Sequence, residues 1–125
     1  DRIEGGRTHG TPNYAGIPSV VFTTPPLARV GLTEEAAQAE ACAMRHTTEN
    51  VGLVYLATGA LGHTGFKTLV EEGTGRILGA HLLGQHAEEV INLFGLALRT
   101  GIRASDLKHT VFAYPTSASD LSSML

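Results

Sequence analysis

The stretch GFKTLVEEGTGRILGAHLLGQHAEEVINLFGLALRT, residues 65–100, decides the fold of this chain. Phe66 to Glu71 and Arg76 to Leu83 read as two strands. Glu72-Gly73-Thr74-Gly75 stands between them, and both glycines tolerate the positive φ that a tight hairpin needs. Gly84 closes the second strand. From His86 to Thr100 the period changes. At 100° per residue, Ala87, Val90, Ile91, Leu93, Phe94, Ala97 and Leu98 share one arc, with Glu88, Asn92 and Arg99 opposite, so this segment reads as an amphipathic helix. The apolar arc is about 160° wide. Either the helix is buried wholly against its own sheet, or a partner subunit takes what the sheet leaves bare. Gly101 is the expected residue just past the helix end.

Working outward, Ser19-Val20-Val21-Phe22-Thr23 is a β-branched and aromatic run, hence a strand, ended by Pro25-Pro26. Leu27 to Leu32 is a second extended piece. Thr33 caps a helix over Glu34 to about Ala41, with Glu34 and Glu35 in the dipole-favoured first turn. Cys42 to Thr48 reads as a strand, and residues 49–62 stay ambiguous. Downstream, Arg103 to His109 is a short helical turn. Thr110 to Thr116 approaches a proline bend. Ser117 to Leu125 is a final helix, capped by Thr116 or Ser117, with Asp120 in its first turn. Residues 1–16, with Gly5, Gly6, Gly10, Pro12 and Gly16, read as a linker or loose lead-in cut from something longer. The unit is then residues 17–125. The pattern predicts an α+β fold, an antiparallel sheet with helices packed on one side.

Composition narrows the function classes. The 125 residues suit one domain, and 42 % apolar with 17 % charged residues suits a packed core. A net charge of -3 with scattered Lys and Arg argues against nucleic-acid binding. Cys42 is the only cysteine, which excludes an internal disulfide and a cysteine-based zinc site, and it reads as a buried thiol. No apolar run approaches the ~20 residues of a membrane span, and no signal peptide is visible; a cytoplasmic location is expected.

The motifs carry little chemistry by themselves. Gly73-Thr74-Gly75 with Gly79 has strands on both sides, whereas a dinucleotide loop needs a helix after it. None of the six histidines forms a His-Glu-x-x-His pair, and no metal site is expected. His81 alternates with Ile77 and Gly79 on one strand face, so a core or interface role is expected. No Gly-x-Ser-x-Gly elbow is present.

Three separated segments carry a resemblance. Residues 17–36, running Ile17-Pro18-Ser19-Val20-Val21-Phe22-Thr23-Thr24-Pro25-Pro26 and on through Val30-Gly31-Leu32-Thr33-Glu34-Glu35, are the first. Gly65-Phe66-Lys67 with Gly75-Arg76-Ile77-Leu78-Gly79-Ala80-His81-Leu82-Leu83-Gly84 is the second, and Ala87-Glu88-Glu89-Val90-Ile91 the third. In this order they resemble the C-terminal dimerisation domain of the pyridine nucleotide-disulfide oxidoreductases, the family of glutathione reductase, dihydrolipoamide dehydrogenase and mercuric reductase. The resemblance implies a homodimeric parent with FAD and NAD(P)H domains ahead of Asp1, and no cofactor on this fragment alone. It also implies a C-terminal motif that reaches the partner subunit's flavin and disulfide.

That motif departs from the family's His-Pro-Thr followed by a Glu five positions after the His. Here it reads Tyr114-Pro115-Thr116, with Ser119 at the Glu position and Asp120 one beyond. The resemblance makes Tyr114 and Asp120 the catalytic candidates and sets Pro115 and Thr116 near the partner's flavin. Imidazole titrates near ~6.5 and phenol near ~10, so a tyrosine there implies a variant reductase. A tyrosine hydroxyl still donates a hydrogen bond to a thiolate, a flavin edge or a substrate oxygen. The other reading of Tyr114 is a packed interface aromatic. Mercuric reductase also has a partner tyrosine near its metal, but it carries a terminal cysteine pair, and this chain ends Ser122-Ser123-Met124-Leu125. A cis Tyr114-Pro115 bond and self-association are expected. The competing readings are a stand-alone interaction module and a small-ligand regulatory domain.

Overall fold

The computed structural model describes residues 13–40, 44–49 and 64–125. The readings of residues 1–12, Cys42 and residues 50–63 lie outside these. Five strands, β1 (Ser19–Val21), β2 (Leu27–Gly31), β3 (Met44–Glu49), β4 (Gly65–Glu71) and β5 (Ile77–Leu83), form one antiparallel sheet in the order β1-β2-β5-β4-β3. The hairpin between β4 and β5 is the expected one, with Gly73 and Gly75 at φ 82° and 71°. One feature is new: the register slips between Leu69 and Val70, which places Leu78 with Leu69 and Ala37 rather than in the main core.

The helices are α1 (Glu34–Ala39), α2 (Ala87–Thr100), α3 (Ala104–His109), a 3-10 turn (Ser117–Asp120) and α4 (Leu121–Met124). Helix α2 lies across β2 and β5. Its Val90, Ile91, Phe94 and Ala97 pack with Ala28, Val30, Phe66, Ala80 and Leu82, all at most 4 % exposed. Burial of each large side chain there contributes about 1.5–3 kcal/mol. Leu121, Met124 and Leu125 close the same core, and the Thr68 hydroxyl donates to the Met124 carbonyl at 2.6 Å. Thus the C-terminal helices join the layer formed by α2. Helix α1 instead meets the face that carries Lys67 and Leu69, through a Lys67–Glu34 ion pair at 2.7 Å and the Ala37 contact.

Several boundaries move. The α1 helix stops at Ala39; Thr33 caps it as expected, accepting from the Ala36 amide at 3.2 Å. His86 is not helical: it sits left-handed at φ 65° and α2 starts at Ala87, because the chain must first turn off β5 through the Ala87–Gly84 hydrogen bond. The final helix splits into the 3-10 turn and α4, since Ser and Thr hydroxyls compete for backbone groups at its start. Residues 13–16 dock on α2: the Arg99 guanidinium donates to the carbonyls of Asn13 at 3.3 Å and Ala15 at 3.1 Å. Pro18 abuts Gly95, where a Cβ would come within 2.7 Å of the proline ring. The helix flank that the sequence assigns to solvent is therefore partly covered. Glu88, two turns before Gly95, is only half-exposed, and its Oε2 is buried without a hydrogen-bond partner among the described residues.

Candidate functional site

The segment 110–120 leaves α3 and returns to the core as an extended run. Val111 is 95 % exposed, Phe112 packs against the core, and Tyr114 is again 76 % exposed. The Tyr114-Pro115 peptide bond is cis, as expected; so is Thr24-Pro25, which the sequence reading did not single out. The Tyr114 hydroxyl has no hydrogen-bond partner among the described residues, so the ring is presented outward from its own chain.

Thr116, at φ −141° and ψ 162°, caps the 3-10 turn. Its hydroxyl accepts from the Ser119 amide at 3.3 Å and donates to the Ala113 carbonyl. In return the Ser119 hydroxyl accepts from the Thr116 amide at 3.3 Å and donates to the Thr116 carbonyl at 2.6 Å. This reciprocal pair satisfies amides that the first turn would otherwise leave open. The sequence left the cap between Thr116 and Ser117, and the structure gives it to Thr116; the reciprocal bonds of Ser119 were missed, and the Thr-x-x-Ser spacing was the available signal.

Asp120 differs in kind from Tyr114. It is buried at 7 % exposure, next to Leu121 and at the start of α4, whereas Tyr114 faces outward. Beside the motif, a depression of about 500 Å³ runs between α2 and the 3-10 turn, lined by His86, Glu89, Val90, Leu93, Thr116 and Ala118. On the outer side of α2, Leu96 is 55 % exposed. A larger cavity, about 840 Å³, lies elsewhere, between residues 14–17, β2 and the end of α2. Two of its three arginines are engaged, Arg99 on the lead-in carbonyls and Arg76 with Glu71 at 3.2 Å. His81, for which the sequence suggests a core or interface role, is half-buried, with Nε2 3.1 Å from the Leu32 carbonyl oxygen. Among the described residues no group of three His, Cys, Asp or Glu is placed to hold a metal. No helix among them is long and apolar enough to cross a membrane.

An antiparallel sheet backed by one long amphipathic helix, with an outward aromatic on a proline bend, defines an α+β domain. Residues 17–125 match the sequence profile of the pyridine nucleotide-disulphide oxidoreductase dimerisation domain, and the chain belongs to that family. An uncharacterised 19.7 kDa protein of a mercuric resistance operon in Staphylococcus aureus is 41 % identical, over 90 % of this chain and 63 % of that protein. Trypanothione reductase of Leishmania donovani is 31 % identical over 99 % of this chain and 26 % of its own length. The solved HOCl-induced flavoprotein disulfide reductase RclA from Escherichia coli superposes with a TM-score of 0.83 at 31 % identity, covering 88 % of this chain and 26 % of RclA. This chain therefore spans about a quarter of the length of these reductases and less than two thirds of the staphylococcal protein.

Proposed function

We propose that residues 17–125 act as the dimerisation domain of an FAD-dependent NAD(P)H oxidoreductase and present Tyr114 to the active site of the partner subunit. FAD and NAD(P)H belong to parts of the parent outside these residues, and the flavin when bound supplies the electron transfer between nicotinamide and acceptor. The observation that carries the reading is the exposure of Tyr114: 76 %, with no hydrogen-bond partner among the described residues, on a bend whose far side is anchored in the core. A ring this exposed is available to a second surface, which supports the reading.

The role of Tyr114 is to donate its hydroxyl to a thiolate, a flavin edge or a substrate oxygen. Pro115 and Thr116 stand beside it near the same flavin. Asp120, one position beyond the family's Glu, is the second catalytic candidate, and its burial at the end of the 3-10 turn suits a carboxylate that acts through its neighbours and not by direct contact with substrate. A tyrosine in the histidine's place makes the parent a variant reductase. The reading keeps the cytoplasmic location expected from the sequence.

The test is Tyr114→Phe in the full-length parent, with NADPH and NADH as donors and 5,5′-dithiobis(2-nitrobenzoate) as the disulfide probe. We expect turnover to fall about tenfold, the equivalent of 1.4 kcal/mol of transition-state stabilisation, with reduction of the holoenzyme by the nicotinamide unchanged. Unchanged turnover rejects the role of Tyr114. A full-length protein that binds no flavin rejects the whole reading.

A further inference from the structure

Tyr114 is too exposed for packing to fix its direction, so the backbone between Ala113 and Ser119 must do so. Two sets of hydrogen bonds hold that backbone. The Thr116 hydroxyl donates to the Ala113 carbonyl, closing a ring around Tyr114 and Pro115. The same hydroxyl accepts from the Ser119 amide at 3.3 Å, and the Ser119 hydroxyl bonds both the amide and the carbonyl of Thr116, at 3.3 and 2.6 Å.

A helix cap needs only the second set. The bond to Ala113 lies on the side away from the helix and adds nothing to it; its one effect is to fix the two residues it encloses. Ser119 occupies the position where the family resemblance places an orienting carboxylate. A hydroxymethyl group is shorter, and here it turns back onto its own backbone.

We propose that Thr116 and Ser119 are positioning residues for Tyr114: their paired hydroxyls replace, through the backbone, the orientation that a carboxylate supplies to the acid/base residue of the other reductases. This rests on the reading of Tyr114 as part of the partner's active site. Neither hydroxyl touches substrate.

Two preparations test it. In the 125-residue chain, the ¹⁵N order parameter of Tyr114 is expected at about 0.85 and to fall below about 0.6 in Thr116→Val, with α2 unaffected. In the flavin-loaded full-length parent, Thr116→Val and Ser119→Ala are each expected to lower kcat for 5,5′-dithiobis(2-nitrobenzoate) about tenfold without changing KM for NADPH. Thr116→Ser and Ser119→Thr keep the hydroxyls and are expected to restore kcat to within about twofold. Adding Ser119→Ala to Tyr114→Phe is expected to cost nothing more, because both changes remove the same contribution. An undiminished order parameter, or an equal further loss in the Tyr114→Phe background, overturns the proposal. If Tyr114→Phe costs activity and Thr116→Val does not, positioning alone falls. If Tyr114→Phe costs nothing, the active-site reading falls and takes the positioning with it.

Discussion

Replacing Gly79 by alanine separates a steric requirement from a conformational one. Gly79 lies in the middle of the sheet, paired with Gly31 of β2 at the point where the chain leaves the sheet for α1. A Cβ on Gly79 would stand 2.2 Å from the Leu32 carbonyl oxygen, 3.1 Å from its nitrogen and 3.2 Å from its carbonyl carbon. All three are backbone atoms, so no side chain can swing aside. Ordinary contact begins at 3.4 Å, which leaves the gap 1.2 Å too narrow. A shift of that size, added to the 2.9 Å of the Leu32–Leu78 hydrogen bond, carries that bond out of range. Overpacking costs about 1–3 kcal/mol and the broken bond about 1 more, so we expect Gly79→Ala to lose about 3 kcal/mol. Gly75→Ala is the control. Gly75 has φ 71° but its Cβ would meet nothing nearer than 4.0 Å, so only the backbone penalty of about 1 kcal/mol applies. Urea unfolding followed by far-ultraviolet circular dichroism gives both values, with the slope checked for two-state behaviour. If Gly79→Ala costs no more than Gly75→Ala, close backbone approach is not why glycine stands at position 79.

Phe94→Ala empties a fully buried site in the main core and is expected to cost about 3–5 kcal/mol by the same unfolding measurement. Glu34→Gln removes the Lys67–Glu34 pair, whose side chains are 37 % and 32 % exposed, and is expected to change stability by no more than about 0.5 kcal/mol. Thr33→Ala deletes the α1 cap and is expected to cost about 1 kcal/mol; a change below about 0.3 kcal/mol would show that tertiary contacts hold the turn without it. Leu96→Glu places a charge on the exposed flank of α2 and is expected to weaken self-association of the full-length parent in sedimentation equilibrium, with its circular dichroism unchanged.

The C-terminal motif shows how far residue reading reaches. Its proline bend and a cap at Thr116 or Ser117 were visible as sequence, since each is a property of one or a few adjacent residues; the departure at Tyr114 showed only against the family pattern that the resemblance supplies. The burial of Asp120 was not visible as sequence. Both Ser119 and Asp120 stood near the family's Glu position, and nothing in the sequence showed that Ser119 bonds the local backbone while Asp120 is buried at the end of the turn.

The same division holds for the whole chain. Hydrophobic period, turn glycines and helix caps are local quantities, and they were enough for the β4–β5 hairpin, the α2 helix and the Thr33 cap. The sheet order, with β5 between β2 and β4, depends on contacts between distant residues. So do the slip at Leu69–Val70, the docking of residues 13–16 by Arg99 and the approach of Leu32 to Gly79. A glycine that serves a turn and a glycine that makes room for another backbone look alike in sequence. Only the packed structure, where two segments 47 residues apart compete for one space, tells Gly75 from Gly79.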